Sequence, residues 1–249
     1  MHDSETVLTD IAGEVATITL SRPEVLNALT REMLLELGAA LDTVAGERSV
    51  KVIILTGAGR AFSAGVDLKA LAGRSLASGS VGDYLDIPAR AVIGRLTSLP
   101  KIVIARVNGF CFTGALELAL ACDLIVAADE AKFADTHAKW GLRPTWGMSQ
   151  RLARLVGIAR ARELSYTGRT FNGLEAAAWG LAIRSVPGTQ LDEAVAEVSD
   201  AIVGNSVGSL VAYKDLYGRA LESGLSAGLT YEADTTYAIT DTHERLGTF

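Results

Sequence analysis

The stretch Asn108-Gly-Phe-Cys-Phe-Thr-Gly-Ala-Leu-Glu-Leu-Ala-Leu-Ala-Cys-Asp123 decides how the chain is organised. It follows an apolar run at residues 101–107 and passes through a glycine turn into small and apolar residues, a pattern typical of a buried strand followed by a buried helix. Glu117 is the carboxylate inside that helix. Because ionised carboxylates are rarely buried without a purpose or a partner, Glu117 is a candidate functional residue. The alternative is a structural carboxylate paired with a lysine or arginine.

Strand and helix patterns alternate through the first part of the chain. They predict an opening hairpin of two strands at residues 7–9 and 15–20, followed by a helix that Thr30 caps and that ends at residue 46. A buried strand is predicted at residues 51–56, and it leads into a glycine-rich loop at residues 57–69. A further buried strand is predicted at residues 124–128. Helical patterns then dominate, at residues 148–156, 158–166, 173–179, 190–203, 207–221 and 225–245. The sequence therefore predicts an α/β core over residues 1–190 and a C-terminal helical subdomain over residues 191–249.

Composition excludes several classes of protein. The 249 residues carry a formal net charge of -6, which argues against nucleic acid or an anionic membrane as the main partner. The two cysteines, Cys111 and Cys122, lie in the apolar stretch and fit small core residues of a reducing compartment, and the first residues lack the features of a signal peptide. We therefore expect a cytoplasmic protein. The three histidines are too scattered for a metal site.

Two other functional motifs fit poorly. Gly57-Ala-Gly59 follows a strand, but the distance to Gly65 is wrong for a dinucleotide-binding glycine pattern. The residues around Ser63 do not match the G-x-S-x-G motif of a hydrolase nucleophile, because Ala61 stands where the first glycine would be. The glycine-rich loop is therefore interpreted as a ligand loop at the carboxyl end of a strand, without a nucleotide or a serine nucleophile.

Several stretches, in order along the chain, together resemble the crotonase superfamily of enoyl-CoA hydratases and isomerases. The similarity covers roughly residues 5–245 and is carried by Arg22-Pro23 with Leu26-Asn-Ala-Leu29, Ala61-Phe-Ser-Ala-Gly-Val-Asp-Leu-Lys69, Val107-Asn-Gly-Phe110, Gly114 through Glu117 to Asp123, and Gly168-Arg-Thr170 with Glu175-Ala-Ala-Ala-Trp-Gly-Leu181. The resemblance implies a crotonase-like spiral of ββα-type turns with a C-terminal helical trimerisation region. It also implies a homotrimer or a dimer of trimers.

The resemblance further implies an acyl-CoA thioester as the ligand, with coenzyme A as part of the substrate and no separate cofactor. The backbone N–H groups of Val66 and Gly114 would then form an oxyanion hole for the thioester carbonyl. The residues that would hold coenzyme A are Arg22, Leu26, Ala64 and Lys69. Among them, the Ala64 carbonyl would face the adenine, and the cationic side chains of Arg22 and Lys69 would contact the phosphates.

Glu117 matches the first of the two catalytic glutamates that hydratases of this superfamily use. His137 stands where the second would be, and a neutral imidazole can act as a base. The leading prediction is hydration of a 2-enoyl-CoA with Glu117 and His137 as the acid–base pair. The alternatives are a non-hydrating acyl-CoA-binding or carrier protein, or decarboxylation, thioester hydrolysis or isomerisation. His137 could also be a loop histidine that caps a helix or packs on Trp140, and Asp135 could be the useful acid of that loop.

Overall fold

A computed structural model describes residues 5–74 and 76–247. The strands of this part of the chain are β1 (Val7–Ala12), β2 (Val15–Leu20), β3 (Val52–Gly57), β4 (Ala61–Ser63), β5 (Ile102–Val107), β6 (Phe110–Phe112), β7 (Leu124–Ala128), β8 (Lys132–Ala134), β9 (Phe171–Asn172) and β10 (Arg184–Val186). The α-helices are α1 (Arg31–Gly46), α2 (Asp83–Ser98), α3 (Gly114–Ala121), α4 (Met148–Val156), α5 (Ile158–Thr167), α6 (Gly173–Ala178), α7 (Leu191–Val203), α8 (Val207–Ala220), α9 (Leu225–Asp234) and α10 (Thr242–Leu246).

Within the described residues, the strands form two sheets. The larger has the order β1-β2-β3-β5-β7-β10 and is parallel except for the β1–β2 hairpin. The smaller has the order β4-β6-β8-β9, in which β4, β6 and β8 run parallel. Each central strand of the larger sheet is followed at once by a short strand of the smaller one. A helix then returns the chain to the larger sheet, as in β3-β4-α2-β5 and β5-β6-α3-β7. This repeat is the predicted ββα turn.

Local sequence explains the first helix and the central strand. The Thr30 hydroxyl accepts a hydrogen bond from the N–H of Met33, which satisfies one of the free donors at the beginning of α1. The residues of α1 that recur at three- and four-residue steps, among them Leu34, Leu37 and Leu41, are fully buried. Strand β5 is largely buried because helices and the neighbouring strands cover it, as its continuous apolar sequence predicts.

The C-terminal region differs from the prediction in one respect. The single helix expected at residues 225–245 is two helices, α9 and α10, with residues 235–241 lying outside any helix. Thr235 leaves the helical conformation, and the Tyr237 hydroxyl, like that of Tyr231, lies within hydrogen-bond distance of the Asp215 carboxylate on α8. The β-branched pair Thr235-Thr236 also has low helix propensity. Low local propensity and the contact with Asp215 together explain why α9 ends before the predicted position.

Helix α7 packs its buried residues Leu191, Ala194 and Val195 into the same apolar core as the sheet. The division at residue 190 into a core and a helical subdomain stays a prediction, and its outermost residues, 1–4 and 248–249, lie outside the described part. None of the helices in the described residues is both long and apolar enough to cross a membrane.

Candidate active site

A cavity of about 270 Å³ opens between the loop after β4, the beginning of α3 and the loop after β8. The structure brings five predicted residues, Ala64, Val66, Gly114, Glu117 and His137, to its wall. These residues come from separate elements: the loop after β4, the N-terminus and first turn of α3, and a short 3-10 helix at His137–Trp140. The cavity therefore gathers the predicted site residues into one place.

The N–H of Val66 is left free by the way its loop is held. The backbone on either side of Val66 is bonded to Leu29, through the Gly65 carbonyl and the Asp67 N–H. Gly65 has a φ of +89°, and a Cβ there would lie 2.5 Å from the Phe112 carbonyl oxygen, so only glycine fits this turn. That same Cβ position is 3.6 Å from the Gly114 nitrogen, which places the two backbone segments side by side.

The N–H of Gly114 is aimed by a strained residue before it. Thr113 has φ 52° and ψ −108°, a rare conformation for a β-branched residue. It is held there because its N–H donates to Ala134 and its hydroxyl is 2.6 Å from that of Thr136. In the described part of the chain, no protein acceptor takes the N–H of Gly114 or that of Val66. Two unsatisfied amides therefore line the cavity.

Glycine at position 114 is required by the packing around it. In the structure, a Cβ on Gly114 would lie 2.6 Å from Cζ3 of Trp146, whose indole is buried against the beginning of α3. The glycine therefore makes room for an aromatic ring that forms one side of the cavity.

Glu117 is buried, and its carboxylate is held mainly by backbone groups. Oε1 accepts hydrogen bonds from the N–H of Trp146 at 3.0 Å and of Met148 at 2.9 Å. Oε2 lies 3.7 Å from Nε2 of His137. Burial raises the pKa of Glu117, although the two N–H groups and the nearby His137 oppose this shift. The carboxyl group is thus able to take up and release a proton beside the imidazole.

His137 is held on its other side by Asp135. Its Nδ1 is 2.7 Å from Oδ1 of Asp135, and the second oxygen of Asp135 accepts a 2.7 Å hydrogen bond from the Ser165 hydroxyl on α5. Burial acts to raise the pKa of Asp135, but the hydrogen bonds from His137 and Ser165 outweigh it and the net shift is downward. Asp135 lies behind the imidazole and does not line the cavity, whereas the nearby Trp140 is exposed.

Sequence reasoning missed Asp86, a buried carboxylate on α2. It accepts hydrogen bonds from the Ser80 hydroxyl, the Thr145 hydroxyl and the indole N–H of Trp146, at 2.7, 2.7 and 2.8 Å. Burial opposes ionisation, yet these hydrogen bonds leave the pKa of Asp86 lowered. Asp86 thereby fixes the indole of Trp146, and the backbone N–H of the same residue donates to Glu117. The partners Thr145 and Trp146 lie about sixty positions away, so no local pattern could have revealed this role.

The predicted coenzyme A residues lie together but differ in availability. Arg22 donates to the Ala28 carbonyl at 2.7 Å and pairs with Asp67 at 3.3 Å, so its guanidinium already has protein partners. The Leu26 carbonyl accepts from the Ala64 N–H, whereas in the described residues no protein donor reaches the Ala64 carbonyl oxygen. Lys69 is exposed.

Comparison with known proteins places this architecture in a family. The family model described as enoyl-CoA hydratase/isomerase matches residues 10–248. A protein of Arabidopsis thaliana named probable enoyl-CoA hydratase 1, peroxisomal, is 37% identical over 91% of this chain and 83% of its own length. The short-chain-enoyl-CoA hydratase of Clostridium acetobutylicum is 32% identical over 92% and 87%.

Solved structures agree with the sequence relatives. The crystal structure of enoyl-CoA hydratase from Bacillus anthracis superimposes with a TM-score of 0.87 at 34% identity, covering 92% of this chain and 88% of that one. A structure described as a monofunctional enoyl-CoA isomerase from M. smegmatis gives a TM-score of 0.78 at 32% identity, covering 94% and 100%. The predicted crotonase-type α/β fold is thereby confirmed, and the chain belongs to the enoyl-CoA hydratase/isomerase family.

Proposed function

We propose that this protein hydrates the double bond of a 2-enoyl-CoA thioester. The proposal rests on the meeting, in one cavity, of two free backbone N–H groups with a buried carboxyl–imidazole pair. Addition of water to C3 pushes negative charge onto the thioester oxygen, and the N–H groups of Val66 and Gly114 would stabilise that charge. Removing one such donor typically costs about 3–4 kcal/mol of transition-state stabilisation.

Glu117 and His137 supply the proton chemistry in this proposal. One group must take a proton from water as its oxygen bonds to C3, and one must deliver a proton to C2 as the enolate collapses. The raised pKa of Glu117 suits it to the delivery, because part of its population keeps the proton at higher pH than an ordinary glutamate would. The separation of 3.7 Å is too long for a direct hydrogen bond, so in this proposal a bridging water returns the proton from His137 to Glu117 after each cycle.

Substrate binding in this proposal uses the coenzyme A part of the thioester, so no separate cofactor is needed. The free Ala64 carbonyl and exposed Lys69 support contacts to the adenine and to a phosphate, with Leu26 beside them. Arg22 is proposed to contribute positive charge from within its ion pair with Asp67. A cytoplasmic location remains the sequence-based prediction.

Assembly is proposed as a homotrimer or a dimer of trimers. The C-terminal helices α8 and α9 and the turn between them support this because they expose several large apolar side chains, among them Tyr213, Tyr217, Leu221, Leu225 and Leu229. Light scattering coupled to size-exclusion chromatography measures the mass, for which we expect three or six times the 26.1 kDa of one chain. A monomer at micromolar concentration would contradict this part of the proposal.

The test of hydration follows loss of the conjugated enoyl thioester for a panel of chain lengths with the wild type and the His137→Ala variant. We expect turnover by the wild type and a fall in kcat of about 10²-fold or more in the variant. Saturable binding of acyl-CoA by calorimetry without any product over the panel would establish the carrier alternative. Products formed by decarboxylation, hydrolysis or isomerisation instead of hydration would identify one of the other reactions.

A further inference from the structure

Asp135, on the far side of His137 from Glu117, determines which nitrogen of the His137 ring carries the proton. Asp135 is buried and receives three hydrogen bonds, from Nδ1 of His137 at 2.7 Å, from the backbone N–H of His137 at 3.2 Å and from the hydroxyl of Ser165 at 2.7 Å. A carboxylate only accepts hydrogen bonds, so the short contact to Nδ1 requires that this nitrogen carry the proton. The lone pair of the neutral ring is then on Nε2, which faces Glu117.

We propose that Asp135, oriented by Ser165, is a positioning residue that holds His137 in the Nδ1–H tautomer and so makes His137 the base and Glu117 the acid of the reaction. This inference rests on the proposed hydration for the roles of the two groups, but the tautomer itself does not. The family resemblance predicts two carboxylates here, and two carboxylates would not need such an acceptor behind one of them.

The surroundings of His137 support the same assignment. The titratable groups that act on this cluster are Asp135 on the same segment, Glu117 on α3 and Arg151 on α4, whose charge interacts with that of Glu117. The low pKa of Asp135 keeps it an acceptor, while the raised pKa of Glu117 favours a proton on the carboxyl that faces Nε2. The raised pKa therefore favours a proton on the Glu117 side of the ring, while on the Nδ1 side Asp135 acts as the acceptor.

In the resulting step, Nε2 of His137 takes a proton from water while the water oxygen forms its bond to C3. The electrons of the double bond move to the thioester oxygen, and the enolate then takes the proton of Glu117 at C2. His137 ends as imidazolium and Glu117 as carboxylate, and transfer of one proton from the first to the second restores both groups. One water molecule is consumed, and no other reactant is needed.

The direct test is the nitrogen NMR spectrum of the histidine rings in the full chain. The sequence contains three histidines, His2, His137 and His243, so the His137 signals can be assigned by their absence from a His137→Gln variant. We expect the neutral His137 ring to carry its proton on Nδ1 in the wild type and on Nε2 in Asp135→Asn, whose amide can donate to Nδ1. A wild-type neutral ring protonated on Nε2 would overturn the proposal whatever the enzyme catalyses.

Activity provides a second test in which the sign of an effect is decisive. Asp135→Asn should lower kcat by about 10²-fold in the wild type while KM changes by less than about threefold. In a His137→Glu background, which restores the two-carboxylate pair of hydratases, the same substitution should raise kcat because it removes a like charge beside the introduced carboxylate. A merely structural Asp135 would lower activity in both backgrounds, and that result would contradict the proposal.

Ser165→Ala keeps the carboxylate and removes one of its hydrogen bonds, so it serves as the milder variant. We expect a fall in kcat of about threefold to tenfold with the Nδ1–H tautomer retained, because Asp135 still faces the ring. A loss as large as that of Asp135→Asn would show that position 165, rather than the carboxylate, controls the imidazole. If the wild type shows the expected tautomer but no hydration, the proposed function fails and the positioning role stands.

Discussion

Glu117, which is buried, and Asp123, which is partly exposed, are two carboxylates carried by or next to the same helix, and their partners are different in kind. Asp123, just after α3, accepts from the backbone of Val103 at 2.7 Å and pairs with the ammonium of Lys214 at 2.8 Å. Glu117, in the first turn, is held by backbone N–H groups and an imidazole, and no lysine or arginine in the described residues forms an ion pair with it.

Burial raises the pKa of both carboxyl groups, so burial alone does not separate them. A full cation neutralises Asp123 and uses it to tie α8 to the sheet, since Lys214 also donates to the carbonyls of Leu96 and Lys101. Glu117 lies at the cavity wall without such an ion pair, so its carboxyl group is able to bind and release a proton there. The type of partner therefore distinguishes the structural carboxylate Asp123 from Glu117, the carboxylate proposed to be reactive.

The largest expected effect is on catalysis by Glu117→Gln. The amide cannot exchange a proton at this position, so we expect kcat for hydration to fall by about 10²- to 10⁴-fold. The matched control is Asp123→Asn, the same chemical change at the other carboxylate, for which we expect kcat within about threefold of the wild type. Steady-state kinetics with a short 2-enoyl-CoA measures both. Equal losses in the two variants would show that the two carboxylates do not differ in role.

The next effect is on the free energy of unfolding, and it concerns the ion pair of Asp123 rather than the carboxyl group of Glu117. Lys214→Met leaves the partly exposed Asp123 without its cation, and breaking a fully buried ion pair costs about 3–5 kcal/mol. Because 23% of the Asp123 side chain is exposed, we expect a loss of about 2–3 kcal/mol in the free energy of unfolding. Denaturant titration measures it. In the control, Arg184→Met breaks the exposed pair with Glu197 and should cost no more than about 1 kcal/mol.

The sequence predicts the contrast between Glu117 and Asp123 only where the interacting residues lie close together along the chain. The helix that begins after Thr30, the strand at residues 124–128 and the buried position of Glu117 follow from spacing and composition over a few residues. The same patterns favour turn or cap roles for Asp123 over acid roles. What they cannot supply is Lys214, which lies 91 positions away in the chain.

The candidate site shows the same limit. Asp135 and His137 are two residues apart and are both candidates from the sequence, but the direction in which each side chain points depends on Ser165, thirty positions after Asp135. Asp86 reaches Trp146 across sixty positions, and only the fold brings them together. Periodicity carries no information on such contacts, whereas the family resemblance could supply the roles of Val66, Gly114 and Glu117.

A smaller effect is expected at the N-terminus of α3, where Gly114→Ala probes the support of Glu117. The new Cβ, 2.6 Å from the Trp146 ring, must displace that ring, and overpacking of this kind costs about 1–3 kcal/mol. Since Trp146 also donates to Glu117, we expect kcat to fall by about tenfold or more as the carboxylate shifts. Trp146→Leu should make the alanine tolerable, so the two substitutions should be non-additive in stability.

The control for this substitution is Gly94→Ala on α2. Nothing lies within 4 Å of the Cβ position at Gly94, so the alanine meets no neighbour and gains helix propensity. We expect it to stabilise the protein by about 0.5–1 kcal/mol without changing kcat. If Gly114→Ala behaved like Gly94→Ala, the contact with Trp146 would not constrain the site.

The smallest effect is the pH dependence of stability, which reports on Glu117, a carboxyl group that forms no ion pair with a lysine or arginine in the described residues. A carboxyl group whose pKa is raised by folding stabilises the protein fully at pH values below its unfolded pKa, which for glutamate is about 4.5. That contribution is lost as the pH rises through the folded value, because the buried group must then ionise. Glu117→Gln cannot ionise and escapes this loss. The stability of the variant relative to the wild type should therefore increase from pH 4.5 upward, measured by denaturant titration at a series of pH values. A difference that stays constant over this range would mean that Glu117 ionises in the folded protein as readily as in the unfolded chain.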